Sequence, residues 1–154
     1  MEIREADNSD SSKIKELVFG VLHEYGLKPD PGATDKDLDE LESSYRNNNG
    51  YFGVVEEEGN IIASMGLYRM SDTTCELRKM YSLPSARGKG LGRLLVELAI
   101  EKAKALGFEE IILETAAPLK EAISLYKNMG FTEYEPDHMS PRCDQAFKLK
   151  LMAS

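Results

Sequence analysis

Residues 86–95 read ARGKGLGRLL, in which Arg87, Gly88, Lys89, Gly90, Leu91, Gly92 and Arg93 bring together three glycines and three cations without an acid. Glycine loses much conformational freedom in a regular element, so this density calls for a backbone that bends sharply or lies close to something. An apolar helical stripe follows at once. A glycine-rich turn entering a helix aims several backbone N–H groups, and the positive end of the helix dipole, at one point. The chemistry this supports is anion binding, best suited to phosphate. The competing reading is a solvated basic turn.

Two familiar phosphate loops fail on spacing. A Walker A loop needs G-x-x-x-x-G-K-[ST], whereas Lys89 is followed by Gly90, with no Ser or Thr to hold magnesium. A dinucleotide fingerprint needs G-x-G-x-x-G opening the first strand–helix unit, and here the glycines fall at G-x-G-x-G far into the chain.

The formal charge of −8 opposes non-specific nucleic-acid binding, which depends on Lys and Arg neutralising phosphates. Against that background the cations of the loop stand out as a local anion site. Cys75 and Cys143 make neither a C-x-x-C pair nor a disulfide framework and read as reduced structural thiols. The two imidazoles, His23 and His138, have no partner at metal-ligand spacing, so no metal is expected. No apolar run reaches the roughly 18 residues of a membrane span, and the start MEIREADNSD lacks the apolar stretch of a secretory signal. The expectation is a cytoplasmic protein without a membrane partner, folded as a single domain over residues 1–154.

The elements that must position the loop follow from periodicity. MEIREA alternates as a first strand. Ile14, Leu17, Val18, Val21, Leu22 and Tyr25 make one face of a helix, closed by Gly26 and Pro29. Leu38, Leu41 and Tyr45 recur at helical spacing before RNNNG ends a second helix. YFGVVEEEGNIIASMGLYRM reads as two strands around an acidic turn, and CELRKMYSL as a third, stopped by Pro84. Leu91, Leu94, Leu95, Leu98, Ala99 and Leu106 line the helix after the loop, with Gly107 as its cap. EEIILET is a buried strand. Pro118 suits the first turn of a last helix carrying Ala122, Leu125, Tyr126 and Met129 on its inner face, and residues 131–134 and 145–151 are closing strands. The order is β-α-α-β-β-β-α-β-α-β-β, an α/β (α+β) chain with about seven strands in a mixed central sheet and about four helices.

Arg87 to Gly92 match R-x-x-G-x-G after MYSLP, which resembles the acyl-CoA loop of the GCN5-related N-acetyltransferase (GNAT) family. The second half resembles the family's closing motif, with Ala122, Tyr126, and then Gly130-Phe131 at successive spacings of four. The two motifs stand in the family's order, and the resemblance covers essentially the whole chain. It implies the GNAT acyl-CoA N-acyltransferase fold and acetyl-CoA as acetyl donor. It also implies that amides from Gly88 to Arg93 cradle the coenzyme pyrophosphate. Met80, Tyr81 and Ser82 would then pair with the pantetheine arm and place an amide on the acetyl carbonyl, a contact often worth about 3–4 kcal/mol to a tetrahedral intermediate. The resemblance implies that Tyr126 is the general acid toward the coenzyme sulfur, the alternative being a core aromatic.

For the general base the resemblance offers two carboxylates, Glu76 on the strand before the loop and Glu114 in the ILET strand. An alkylamine near pKa 10.4 is almost wholly protonated at pH 7, so a proton must leave before attack. Each also has a structural reading, Glu76 pairing with Arg78 or Lys79 and Glu114 fixing the strand end. One departure is Leu119, which stands where many relatives carry an asparagine that holds the pantetheine.

The acceptor would be read by the first two helices, the KPDPGATD turn between them and the SPRCDQ stretch. Glu24 and Tyr25 lie there too. Asp30, Asp35, Asp37 and Asp144 are candidates to attract a cationic amine, though acids on so acidic a chain more often are solvated surface. Arg142 is a candidate to receive a carboxylate. The resemblance implies N-acetylation of a small-molecule or peptide amine. The alternatives are a protein N-terminal or lysine acetyltransferase and a non-catalytic acyl-CoA sensor. A homodimer through sheet edges is a further possibility that the sequence leaves open.

Overall fold

Asp7 and Asp10 start the helical part of the chain with a reciprocal capping box, the Asp7 carboxylate accepting from Ser9 N at 2.9 Å and Asp10 from Asp7 N at 3.0 Å. In this computed structural model, which describes residues 1–152, that box leads from strand β1 (Glu2–Glu5) into helix α1 (Ser11–Glu24). The α1 stripe read from the sequence, Ile14 through Leu22, is buried as expected, and Gly26 at φ +72° ends the helix. The last two residues of the expected domain lie outside the described residues.

The second helix departs from expectation. Leu38, Leu41 and Tyr45 are all buried to 1% exposure or less, yet their segment consists of 3₁₀ turns around one short helix, α2 (Leu41–Ser44). Glu40, at φ −138° and ψ 79°, interrupts the ladder. Upstream of it Asp35 and Asp37 turn inward to buried cations and to the Tyr45 hydroxyl, contacts that a regular helix would not reach.

Strands β2 (Tyr51–Glu57), β3 (Asn60–Arg69) and β4 (Thr74–Ser82) form the meander, with Glu58 and Gly59 both at positive φ in the first hairpin turn. Helix α3 (Leu91–Ala105) then crosses to β5 (Glu110–Thr115), which lies parallel to β4. Helix α4 (Lys120–Asn128) starts two residues beyond Pro118, and β6 (Thr132–Tyr134) and β7 (Gln145–Lys150) close the chain. All seven strands join one mixed sheet in the order β1-β2-β3-β4-β5-β7-β6, antiparallel except at β4–β5.

Alternation along β2 sends Phe52 and Val54 to one apolar cluster, with α1 and α2, and Tyr51 and Val55 to the other, with α3 and α4. The sheet is therefore covered on both faces. No helix among the described residues is long and apolar enough to cross a membrane.

Two irregularities shape the middle of the sheet. The β3–β4 register runs from Ser64↔Tyr81 to Gly66↔Arg78, two steps on β3 against three on β4, which is a bulge at Lys79–Met80. Lys79 adopts φ +55° there, and its carbonyl accepts the buried Ser64 hydroxyl at 2.7 Å. The β4–β5 pairing stops at Glu76↔Ile112 although both strands continue. Past that point they diverge, and the gap between them is where the cavities lie.

Candidate active site

The glycine loop uses its three glycines for two reasons. Gly88 and Gly90 sit at φ +79° and +77°, and a Cβ on either would point into open space, so backbone conformation decides these positions. Gly92 has an ordinary φ, but a Cβ there would come within 3.2 Å of Leu125 Cδ2, so it sets how closely α3 approaches α4. Gly90 is the N-cap of α3 and contributes no side chain to cap it. The N–H groups from Gly88 to Arg93 have no hydrogen-bond partner among the described residues. A 15-residue helix thus presents an uncapped N-terminus behind a run of unpaired amides, a donor set suited to a diphosphate.

The cations of the loop are not alike. The Arg87 guanidinium is turned away, donating to Glu24 at 2.6 and 2.9 Å and to the Ser82 carbonyl at 2.8 and 3.2 Å. It also stacks over Tyr25 at 5.3 Å. Arg87 therefore ties the loop to the end of α1. Lys89 is exposed, and Arg93 pairs with Glu97 at 3.1 Å on the open face of α3.

A pocket of about 160 Å³ lies over the loop, lined by Gly88, Gly90, Gly92 and Arg87 together with Met80, Tyr81 and Ser82 of β4. It meets a larger cavity of about 440 Å³ at Met80, Tyr81, Leu119 and Ala122, which line both. Glu76, Glu114 and Tyr126 line the larger cavity. The three residues singled out for proton transfer, spread over β4, β5 and α4, are thus brought to one chamber beside the loop.

Tyr126 is 6% exposed, with its ring packed against Phe131 at 5.7 Å and Phe147 at 6.4 Å, so it is part of the core as well as of the cavity wall. Its hydroxyl has no hydrogen-bond partner among the described residues. Burial, and secondarily the neighbouring Tyr81, push its pKa well above the ordinary tyrosine value, which keeps the phenol protonated at neutral pH. Tyr81 is pushed up to about 12, again chiefly by burial. Glu76 pairs through Oε1 with Arg78 Nε, two residues along the same face of β4, and Arg78 in turn stacks over Tyr68 at 3.9 Å. Lys79, the other partner considered for Glu76, points elsewhere. Glu114 Oε1 accepts from the Ser140 amide at 2.9 Å and from the Ser140 hydroxyl. Leu119, at the asparagine position, sits at the junction of the two cavities and presents a methyl-bearing side chain where an amide was expected.

Of the four acids considered for the acceptor, Asp35 and Asp37 carry buried side chains paired with cations, Asp30 is half-buried and Asp144 is exposed. Asp35 is 1% exposed and takes both Arg142 Nη atoms at 2.7 Å, with Lys79 Nζ at 3.3 Å. Burial draws its carboxyl upward, but Arg142, the Asp30 amide and Lys79 together hold it below the usual carboxylate range. Asp30 accepts from Thr34 N and Oγ1, and Asp144 from the Ala117 amide, so both shape turns. Arg142 is already committed to Asp35 through both terminal nitrogens. Sequence reasoning did not assign Arg78, Lys79, His138 or Met139 to the cavity they line, and it reached Thr34 and Ser140 only as members of the KPDPGATD and SPRCDQ segments. A strand reading of CELRKMYSL gave no sign of the bulge, and the 135–144 loop has no periodicity to place it.

A family model described as the Acetyltransferase (GNAT) family matches residues 19–131. YjgM of Escherichia coli, named an uncharacterized N-acetyltransferase, is 42% identical over 127 residues, covering 79% of this chain and 76% of its own. The L-methionine sulfoximine/L-methionine sulfone acetyltransferase of Salmonella typhimurium is 33% identical over 140 residues, covering 86% of this chain and 80% of its own. A putative acetyltransferase of Salmonella typhimurium, solved with its cofactor acetyl-CoA, superposes with a TM-score of 0.75 at 25% identity over 99% of this chain and 94% of its own. With a sheet broken open beside a glycine loop and this match over most of its length, the chain belongs to the GNAT acetyltransferase family. It is an acetyl-CoA-dependent N-acetyltransferase.

Proposed function

We propose that this enzyme transfers the acetyl group of acetyl-CoA to the primary amine of a small molecule by direct attack, within one catalytic unit formed by the whole described chain. The observation that carries the proposal is the adjacency of the two cavities, which share Met80, Tyr81, Leu119 and Ala122 as lining, with Glu76, Glu114 and Tyr126 around the larger and the glycine loop around the smaller. The named activity of the Salmonella relative supports an acceptor of amino-acid size. A cavity of about 440 Å³ suits that scale.

In this reading the amides of Gly88 to Arg93 hold the pyrophosphate, while Arg87, whose own amide donates to the Pro84 carbonyl at 3.3 Å, anchors the loop through its side chain. The pantetheine runs along Met80, Tyr81 and Ser82 in the gap between β4 and β5. The bulge turns a β4 amide toward the thioester carbonyl, where a fixed donor favours the oxyanion that forms on attack. Glu76 and Glu114 each spend one oxygen on a protein partner and keep the other for the amine or a bridging water, so either can take the amine's proton. Tyr126, kept neutral by burial, returns a proton to the departing thiolate. Leu119 replaces one polar contact to the pantetheine by an apolar one.

The test is a panel of primary amines, amino acids included, assayed by acetyl-CoA-dependent thiol release and by the mass of the acetylated product. Acetylation of an amino-acid-sized amine supports the reading; transfer only to protein N-termini or lysines would replace it. With an acceptor in hand, Glu76→Gln and Glu114→Gln assayed across pH identify the base, because its loss removes the acidic limb of the kcat/KM profile.

A further inference from the structure

Lys79 is an unusual residue for its place. It is the left-handed position of the β4 bulge, at φ +55°, where glycine or asparagine would be less strained than a lysine. It is also nearly inaccessible, its side chain 4% exposed. A charge so buried is costly unless it is well paired. Its ammonium reaches Asp35 Oδ1 at 3.3 Å, Asp37 Oδ1 at 3.2 Å and the Thr34 carbonyl at 3.1 Å. Asp37 Oδ1 is buried with no hydrogen bond, so that ion pair is what balances it, while Oδ2 accepts from the Tyr45 hydroxyl. At its backbone end the Lys79 carbonyl is held by Ser64 Oγ at 2.7 Å.

The residue is thus gripped from two directions, by β3 through its carbonyl and by the 30–37 loop through its ammonium. Asp35 extends the grip, because Arg142 of the β6–β7 connection occupies its two oxygens at 2.7 Å. Two carboxylates, Asp35 and Asp37, face two cations, Lys79 and Arg142, so the cluster is neutral. Three chain segments that wall the acceptor side of the cavity meet on it.

We infer that Lys79 is a positioning residue for acetyl transfer, its ammonium locking the β4 bulge to the acceptor-side loop and so fixing the backbone amide that polarises the thioester carbonyl. The inference rests on the N-acetyltransferase reading above. Lys79 touches neither the coenzyme nor the acceptor in this scheme; it acts through the backbone on either side of it. The strain of its left-handed φ is held by the ion pairs, and when they are removed the backbone at the bulge leaves that conformation and the amide turns away, with the flanking register unchanged.

The experiment reads the carbonyl without needing an acceptor. Isotope-edited infrared difference spectra of acetyl-CoA carrying 13C in the thioester carbonyl are recorded on wild type, on Lys79→Met and on the charge-balanced pair Lys79→Met with Asp37→Asn. The double variant leaves no buried carboxylate deprived of its counter-ion, which protects folding, and thermal melts check each protein. Wild type is expected to bind with the carbonyl band moved to lower frequency. Both variants are expected to lose about half of that displacement or more, while their calorimetric Kd for acetyl-CoA stays within about threefold. A full wild-type displacement in a folded variant overturns the positioning role and leaves the transferase reading intact. Wild type that does not bind acetyl-CoA overturns both.

Discussion

Replacing Tyr126 by Phe separates its two roles, because the ring and the hydroxyl do different things. The ring fills the space against Phe131 and Phe147, at centroid distances of 5.7 and 6.4 Å, and Phe keeps that contact. The hydroxyl has no partner to lose among the described residues, so folding should change by no more than about 0.5 kcal/mol. The melting temperature should then move by no more than about 2 °C. Turnover is another matter. A positioned general acid contributes about 10²- to 10⁴-fold, equivalent to about 3–5 kcal/mol of the barrier. Tyr126→Phe should therefore lower kcat by at least about a hundredfold, with acetyl-CoA affinity unchanged within about threefold. The assay is thiol release at saturating acetyl-CoA, with a calorimetric titration and a melt on the same preparation. Wild-type kcat in a stable variant would remove the acid role and leave Tyr126 a core aromatic.

Three further outcomes follow from particular contacts. Gly90→Ala must hold φ +77° with a Cβ, at a cost of about 1–2 kcal/mol, and a melt should show it even without coenzyme. Asp35 has a folded pKa below its unfolded value near 3.9, so its stabilisation is fully present above about pH 4 and fades as pH falls through the folded value. Chemical denaturation of Asp35→Asn should accordingly show a lower stability at neutral pH and a flatter decline below about pH 4 than wild type. A parallel decline would place the acid sensitivity elsewhere. The Cys75 thiol is fully buried and pushed up to about 12 by that burial, so at pH 8 an alkylating reagent should modify it only after unfolding, and fast labelling of the native protein would contradict the packing.

The elements that were legible in the sequence are those whose hydrophobic period is long enough to average over local detail. The α1 stripe, the β2–β3 hairpin and the Ile111–Leu113 strand were placed by patterning and by glycines that the structure holds at positive φ, such as Gly26 and Gly107; on α3 the stripe holds at Leu91, Leu95 and Ala99, but Leu94 is 42% exposed and Val96 and Ala103 are buried instead. The segment around α2 was legible only in part. Its apolar residues are buried as their spacing implies, but Asp35 and Asp37 find partners more than 40 residues away, and those long-range ion pairs break the helix. The bulge was invisible because its signal is a backbone angle at Lys79, a residue type that does not announce one. The need for glycine at Gly88 and Gly90 was legible, and both sit at positive φ, yet the placement of the Arg87 side chain was not, since only the fold brings Glu24 and the Ser82 carbonyl to it.

The most direct test of the phosphate cradle is a calorimetric titration with acetyl-CoA of wild type beside Gly90→Asp. Nothing lies within 4 Å of a Cβ at Gly90, so a carboxylate there would project into the space in front of the uncapped α3 N-terminus and repel a diphosphate. Wild type is expected to bind with Kd on the order of micromolar and the variant at least about tenfold more weakly, with the difference shrinking in high salt. Equal affinity of the two folded proteins would contradict the assignment of the pyrophosphate to the amides of this loop.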